Sequence, residues 1–511
     1  MGYLLGIDIG TYGSKAVIVT ESGRIVARAG REHELSIPAS GRAEHDAQEI
    51  WWADLVALTK ELLSVSGVAP QEISGIGTSA IAPCVLPVAA DGRPLRPAIL
   101  YGIDTRATTE VEELTATLGD SWLQQHCGSD LSSQSAGPKI LWLQHNEPEV
   151  WKRTWKVMSS TTYLVYRLTG NVVLDNYTAA FYAPLFDIHT LKWSEKALGA
   201  ICPAEKLPET GWTTEIAGQV TADAARETGL AEGTPVVTGT ADAASEAVSA
   251  GVWNPGSTML MYGSSLFIIS VAEKLSPGGV FWPAPYLFPG TYALAGGMST
   301  TGSVTQWYRR NFAPAAADQA AMYQELSRRA AAVPAGSEGI IVLPYFSGER
   351  TPINDPAARG VVAGLSLHHS DAHFYRAILE GVAYGIRHNL EAMKNIGADT
   401  RTLAAVGGGT KNAVWMQIVC DVLGLPQLVH DTPGAAFGDA ALAALAVGAV
   451  SDRDKLAGWI DTGSELTPDP ANGRIYHRLY PQFRALYEAS KQSVHALARE
   501  QQRSAAEGAD S

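Results

Sequence analysis

The sequence predicts an α/β chain built from two similar halves. Three observations carry that prediction. Strand-like and helix-like runs alternate from Tyr3 onward. A strand–turn–strand unit with small and hydroxyl residues at its turn occurs at the start and again just past the midpoint. Finally, 50 of the 511 residues are glycine, above the usual share of about 7% and without a collagen-like period, so the surplus serves tight turns and close backbone approach.

In chain order, YLLGIDIG reads as a strand entering a glycine turn, and SKAVIVTESGRIVARAGREHEL as a hairpin turning at Glu21-Ser22-Gly23-Arg24. Asp46 is placed to N-cap a helix carrying Ile50, Trp51, Leu55, Leu58 and Leu62. ISGIGTSA (73–80) reads as a short strand, and CVLPVAADGRPL as a hairpin turning at Asp91-Gly92. TPVVTGTAD (234–242) reads as a strand ending in small residues. GSTMLMYGSSLFIISVAE and GTYALAGGMS then predict strands with glycine corners. Phe374, Ile378, Val382, Ile386 and Leu390, spaced by four, predict a helix from about Asp371. VGGGTKNAVWMQIVCDVLG predicts strand, glycine turn and helix. The boundary between the halves is expected near 243–256, and the last dozen residues are expected to fray.

Composition narrows the function. A length of 511 residues suits several domains of about 100–200 residues each. The net charge of −14 lacks the basic footprint of a nucleic-acid binder. Cys84, Cys127, Cys202 and Cys420 lie far apart with no CxxC, which predicts buried, reduced thiols rather than disulfides or zinc. The opening MGYLLGIDIG has no basic n-region, and the apolar run Ala440–Val450 is too short to span a bilayer. A cytoplasmic protein with no membrane partner is therefore expected. Asn176-Tyr177-Thr178 is a glycosylation sequon by pattern only.

Several motifs carry chemistry. In GIDIGTYGSK, a strand delivers Asp8 to a turn where Gly10 and Gly13 permit close approach and Thr11, Ser14 and Lys15 offer donors. Such a loop suits phosphate, with Asp8 holding Mg²⁺ through water. It is not a Walker A loop, and taken alone a plain glycine-rich hairpin accounts for it equally. The turn Gly263-Ser264-Ser265 is its counterpart in the second half, and the pair would suit a nucleotide clamped from both sides. Gly407-Gly408-Gly409-Thr410, between a strand and a helix, suits an anion or nucleoside contact. Gly75-Ile76-Gly77 lacks the rest of a dinucleotide fingerprint and is set aside. Asp242, ending a strand among Ala, Gly and Thr, has the setting of a general base for a sugar hydroxyl, though a helix cap is the competing reading. Asp104 and Arg106 could grip hydroxyls or form a surface ion pair of little consequence. His368, His369, Asp371 and His373 look metal-like, but they sit at a helix start. They are read as solvated histidines beside Asp371 as N-cap. No G-x-S-x-G nucleophile elbow occurs.

Together these residues resemble the FGGY family of carbohydrate kinases, most closely its xylulokinase branch, over nearly the whole chain. GIDIGTYGSK is similar to the first phosphate loop, RPAILYGIDTR to the W-x-D-x-R segment, and VVTGTADAASEAV to G-G-x-D-x-x-x-x-A. MYGSS is similar to the second phosphate loop, LPYFSGERTPINDPAARGVVAGL with ILEGVAYGIR to the long C-terminal signature, VGGGTKNAVWMQI to the adenosine segment, and PGAAFGDAALAALA to the closing motif. The resemblance implies two actin-like (ribonuclease H-like) domains facing across a central ATP/sugar cleft. Residues 1–245 would form the sugar side, residues 246–490 the nucleotide side, and 491–511 a polar tail.

It implies ATP and Mg²⁺ as cofactors and phosphorylation of a small ketose or polyol, a xylulose-like pentulose being the best match. Asp242 would be the base and Asp8 would organise Mg²⁺. Gly10, Thr11, Ser14, Lys15, Gly263, Ser264 and Ser265 would face phosphates, and Gly408, Gly409 and Asn412 the nucleoside. Ser79, Ala80, Asp104, Arg106 and Asp242 would lie near the sugar. A homodimer is left open.

Two departures bear on substrate. Where xylulokinases carry Gln-Met-His-Gly, this chain reads Thr78-Ser79-Ala80-Ile81-Ala82-Pro83, which also lacks the Arg-Glu of glycerol kinases. The W-x-D-x-R tryptophan is Tyr101, with one extra residue before Asp104. Lost polar contacts at such positions change specificity far more than a methylene does. The alternatives are a catalytically weak sugar- or nucleotide-binding regulator of the same fold, and an actin-like ATPase acting on a protein partner.

Overall fold

The computed structural model describes residues 2–312, 319–430, 434–460 and 463–509. In the first half the apolar runs become strands β1 (Tyr3–Ile9), β2 (Gly13–Thr20), β3 (Ile25–Glu32), β4 (Ile73–Ala80), β5 (Ile216–Gln219), β6 (Pro235–Val237) and β7 (Thr240–Ala241). Their sheet runs β5-β6-β4-β1-β2-β3, with β7 beside β4. β1, β2 and β3 form an antiparallel meander, whereas β4 runs parallel to β1, and β6 and β7 run parallel to β4. The helices that matter to the site are α1 (Ala53–Ser66), α2 (Ala136–Asn146), α3 (Ser160–Thr169) and α4 (Asp242–Ser249). Asp46 caps a wide helical turn leading into α1, accepting from the Gln48 and Glu49 amides.

The second half repeats the plan. Its sheet uses β8 (Ser257–Tyr262), β9 (Leu266–Ala272), β10 (Trp282–Pro285) and β11 (Tyr292–Met298). A separate two-stranded arm is made by β12 (Ile341–Leu343) and β13 (Val361–Ala363), after which β14 (Thr402–Val406), β15 (Gln427–Val429) and β16 (Ser464–Leu466) complete the sheet in the order β10-β11-β9-β8-β14-β15-β16. Again the first two strands are antiparallel, and the next neighbour of β8, β14, runs parallel to it. The helices are α5 (Gly302–Phe312), α6 (Gln319–Ala331), α7 (Asp371–Asn395), α8 (Ala413–Leu423), α9 (Ala435–Ala446) and α10 (Pro470–Ala509). None of the described helices is long and apolar enough to cross a membrane.

The halves are locked by bare backbone. Gly6 on β1 and Gly77 on β4 lie opposite each other in register, and α9 from the second half crosses them. A Cβ at Gly6 would fall 1.8 Å from the Ala436 carbonyl oxygen, and one at Gly77 2.0 Å from that of Asp439. Gly438 meets α4 in the same way, its Cβ position lying 2.0 Å from the Ser245 carbonyl oxygen. This is what Gly77 does in place of binding a dinucleotide. One apolar core accordingly joins Leu4 and Val17 of the first sheet to Met259 and Val406 of the second through Ala440 and Leu442 of α9.

Four sequence expectations are corrected. The division at 245/246 falls inside α4, because this helix carries the chain from one half to the other. Of the tail expected at 491–511, residues up to Ala509 continue α10, with His495 paired to Asp355 at 2.7 Å, and 510–511 lie outside the described residues. The run 234–242 is two strands rather than one, broken at Gly239, whose φ of +73° suits glycine. The Asp91-Gly92 turn forms, but Leu86–Val88 takes its strand partner from Lys156–Met158. The four cysteines are free and buried, and Asn176 of the sequon is buried as well.

Candidate active site

Period-two alternation decides which side chains reach the cleft. On β1, Leu5, Ile7 and Ile9 pack into the core that holds α1, which leaves Gly6 and Asp8 on the face crossed by α9. Asp8 pairs in register with Lys15 on β2 and with Ser79 on β4. Thr240 of β7 lies beside Ser79, so Asp242, two residues on, starts α4 at the same strand ends. Ligands of parallel α/β sheets bind outside such carboxyl ends.

The electrostatics there are dominated by acid. Burial, then the charge of Asp242, pushes the Asp8 carboxyl well above the usual range, against the pull of Ser79 and Lys15. Asp242 keeps partial access to solvent, yet its deep position raises it to about 6, with the Ala243 amide donating to it at 2.8 Å and opposing that rise. A third carboxyl, Asp439 of α9, is also pushed well up by burial and by Asp8. Ser79 Oγ lies 3.0 Å from Asp8 Oδ1 and 2.8 Å from Asp439 Oδ2, and Ser245 Oγ lies 2.7 Å from Asp439 Oδ1 and 2.9 Å from the Ala435 carbonyl. The two hydroxyls are shared as donors among those four contacts, so Ser79 and Ser245 tie Asp8, Asp439 and the Ala435 carbonyl into one buried network. Sequence reading missed Asp439, although it sits in the closing motif PGAAFGDAALAALA.

The first turn is braced from behind. Gly10 donates to the Gly13 carbonyl at 3.0 Å, and a Cβ at Gly10 would come within 2.8 Å of that same oxygen. His33 bridges the Gly10 carbonyl and Asp54, at 3.1 and 2.9 Å. Despite its burial, Asp54 is held below the usual carboxylate range by His33, Ser14 and Arg31. Ser14 donates to Asp54 at 2.7 Å. Its expected phosphate role is thereby corrected: Ser14 opposes Ile9 in register and faces α1, while its neighbour Lys15 is exposed on the cleft face. Thr11 does reach the cleft, 3.0 Å from the Tyr101 hydroxyl.

The expected sugar contacts divide. Ser79 and Ala80 are wholly buried and present no surface, because the ends of β4 lie under α9 and β7. Asp104 and Arg106 are not a surface pair either. Their side chains are 0% and 2% exposed, joined by contacts of 2.7–3.0 Å, with the Ala43 amide on Asp104 and Glu44 on Arg106. They shape the segment that carries Tyr101, which Lys139 also holds through the carbonyls of Leu100, Tyr101 and Ser133 at 2.6–2.8 Å. Burial lowers Lys139 to about 7. Between the halves lies a cavity of about 520 Å³ lined by Tyr101, Ser133, Gln134, Ser265 and Arg350. Arg350 donates to the carbonyls of Leu266 and Met298, and its Nε is buried without a partner. It belongs to the LPYFSGERTPINDPAARG signature, so the signal was in the sequence, but its direction was not.

In the second half the expected nucleotide residues converge. Gly263, Ser264, Gly408, Gly409 and Asn412 line one cavity of about 800 Å³. They meet because β8 and β14 are parallel neighbours that end at Tyr262 and Val406. Gly407 has φ +92°, and a Cβ there would lie 2.6 Å from the Tyr262 carbonyl oxygen, so the two turns touch only without side chains. The Ser264 carbonyl accepts from the Thr301 and Ser303 amides at the head of α5, and Asn412 caps α8 through the Trp415 amide. Tyr323, Arg328, Tyr375 and Trp415 complete the wall.

Two family models match this chain: the N-terminal domain of the FGGY family of carbohydrate kinases over residues 3–249, and its C-terminal domain over residues 259–447. The chain belongs to that family; it is a carbohydrate kinase of the two-domain, actin-like fold, using ATP to phosphorylate a sugar. Among its relatives, the xylulose kinase of Bacillus subtilis (strain 168) is 29% identical over 97% of this chain and 99% of its own. Glycerol kinase 2 of Streptomyces avermitilis is 30% identical over 93% of this chain and 95% of its own. The crystal structure of xylulose kinase from Rhodospirillum rubrum superposes with a TM-score of 0.90 at 34% identity, covering 96% of this chain and all of that one.

Proposed function

We propose that this kinase transfers the terminal phosphoryl group of MgATP to a hydroxyl of a small ketose or polyol, a xylulose-like pentulose first, with Asp242 as general base. The observation that carries this is the position of Asp242: a partly accessible carboxylate at the strand ends of the first half, near enough to Asp8 and to Tyr101 of the smaller cavity for both to feel its charge. Its pKa of about 6 leaves it ionised at neutral pH while keeping it basic enough to accept a hydroxyl proton as transfer proceeds. The larger cavity suits the nucleoside, walled by the Gly408-Gly409 turn and Asn412. The smaller one suits the sugar, since Tyr101, on its wall, feels the charge of Asp242.

The acidic strand ends fit a hard divalent cation. Buried Asp8, raised by Asp242 and Glu246, is a carboxylate oxygen donor short of positive charge. Asp8 would hold Mg²⁺, which neutralises triphosphate charge when bound. Lys15 and the amides of the two turns, other than those of Gly10 and Gly263, which donate within the turns themselves, bind phosphate oxygens and orient them. Burying the reacting hydroxyl between the halves keeps water from competing as acceptor.

The relatives named xylulose kinase and glycerol kinase bracket the substrate class. The test is ATP turnover across pentuloses, tetruloses and polyols. Release of ADP stimulated strongly by one pentulose supports the reading. Tight sugar binding without turnover would instead favour a regulator.

A further inference from the structure

His33 stands directly behind the first turn, and its ring meets an acceptor on each side. Nδ1 lies 2.9 Å from Asp54 Oδ2, and Nε2 lies 3.1 Å from the Gly10 carbonyl oxygen. A carbonyl only accepts, so Nε2 carries hydrogen. Asp54 is held below the usual carboxylate range, and its Oδ2 already accepts from Ser14. It is therefore an ionised acceptor, and Nδ1 carries hydrogen as well. We infer that His33 is an imidazolium and the positioning residue of the first turn. It aims the free amides of that turn at the triphosphate and sets a fixed positive charge behind them. The inference rests on that turn taking phosphate, as proposed above.

The trans peptide does the aiming. The Gly10 C=O and the Thr11 N–H belong to one planar unit and point opposite ways. Holding that carbonyl on His33 therefore turns the Thr11 amide away from His33. The backbone amide of His33 takes a second carbonyl of the turn, that of Tyr12, at 3.2 Å. Among the described residues the Thr11 and Tyr12 amides have no hydrogen-bond partner, which leaves them free to meet an anion. The ring itself is well shielded, its side chain being 8% exposed, so its charge is weakly screened.

The neighbours of the ring keep that charge in place. Helix α1 contributes Asp54, strand β3 contributes Arg31, which pairs with Asp54 at 3.0 Å, and the segment before α1 contributes His45, edge-on at 5.2 Å. His45 does not share the proton. Trp51 Nε1 donates to its Nδ1 at 3.2 Å, and burial, then the charge of His33, holds it down to about 4. The histidines at the head of α7 show the opposite arrangement. There Nδ1 of His369 and of His373 accepts from the Ser366 and Ser370 amides, at 2.9 and 3.2 Å, which a nitrogen does only without hydrogen. Ser370, rather than the expected Asp371, is the cap of α7, and Asp371 pairs with Arg329 of α6. Sequence reading passed over His33, since nothing local marks a ring that folds back onto the preceding hairpin.

The test begins with full-length protein carrying ¹⁵N-histidine, the His33 signal being assigned by its loss in His33→Gln. Long-range ¹H–¹⁵N spectra at neutral pH should show both ring nitrogens of His33 protonated. One protonated and one bare nitrogen would overturn the inference. The proton count is read without nucleotide or sugar, so it stands or falls apart from the reading of the cleft. Calorimetry and steady-state kinetics then read the role. His33→Phe keeps a ring but neither donor, and should raise Kd and KM for ATP about tenfold or more. His33→Gln keeps one donor and no charge, and should raise them several-fold, with KM for sugar changed by less than about twofold. Asp54→Asn removes the anion that holds the second proton. It should turn His33 neutral in the spectra and weaken ATP as His33→Gln does, with the double variant no worse than either alone. Unchanged ATP affinity in His33→Gln, or additive losses in the double variant, would overturn the role. Should His33→Phe fold poorly, His33→Gln and the spectra of the natural chain decide the matter.

Discussion

The Gly10–Gly13 turn and the Gly263–Ser265 turn occupy equivalent places in the two halves, each joining an antiparallel pair whose first strand has a parallel neighbour on its other side. Their surroundings differ. The first turn opens onto Asp8, Asp242, Glu246 and Asp439, of which Asp8 and Asp439 are buried and the other two half-buried, and their charges act on one another. The second opens onto glycines, Asn412 and aromatic rings, with Arg328 and Lys411 as the charged side chains in its cavity wall. Duplicated backbone has been given divided labour. Under the proposed function, one half would hold charge for cation and proton handling, and the other would supply shape and amide donors for the nucleotide. Carboxylates become useful when burial and one another's charge raise them, whereas nucleotide contact needs backbone left bare.

Substitutions can break this contrast. The largest effect is expected from Asp242→Asn, which should keep ATP and sugar binding but lower kcat by at least about 10²–10⁴, read by steady-state kinetics beside calorimetry. Retained turnover would remove the base from the first half. Next is Gly6→Ala, whose Cβ would collide with the α9 backbone and should cost about 3 kcal/mol or more in denaturant unfolding. Gly263→Ala, with its nearest contact at 3.3 Å, should fold normally and raise KM for ATP instead.

The pH response comes third. With Asp242 near 6, kcat/KM for sugar should climb through that value and level off by neutrality, the apparent pKa belonging to the Asp8–Asp242 pair. For stability the sign is opposite. A folded-state pKa above the unfolded value of about 3.9 binds the proton more tightly, so this group's contribution falls as pH rises from about 4 through 6, readable as a lower Tm of the ligand-free protein. The smallest effect sharpens the boundary of the first turn. Ser14→Ala should cost about 1 kcal/mol through the lost bond to Asp54 and leave KM for ATP nearly unchanged, while Lys15→Ala should raise that KM several-fold without loss of stability.

Much of this site could be read along the chain. The second-half turns were legible because strand, glycine run and helix cap are local features, and five of the expected residues meet in one cavity. Ser79, Ala80, Asp104 and Arg106 were expected beside the sugar, yet their side chains are buried, since local pattern does not report what lies above a strand end. Tyr101 and Arg350 stood in segments already singled out, and only the meeting of the halves turns them onto a shared cavity.

By itself, then, the sequence determined the two-fold α/β plan, the turns and the carboxylates that end strands, because propensity, alternation and capping act over a few residues. The tertiary structure decided which of two adjacent side chains, Ser14 or Lys15, faces the cleft. It placed α9 so that Asp439 and Ser79 reach Asp8, and it carried Asp54 to His33. Those outcomes depend on register and on contacts between segments tens to hundreds of residues apart, where the free energy comes from burying surfaces against each other and leaves no periodic mark in either segment alone.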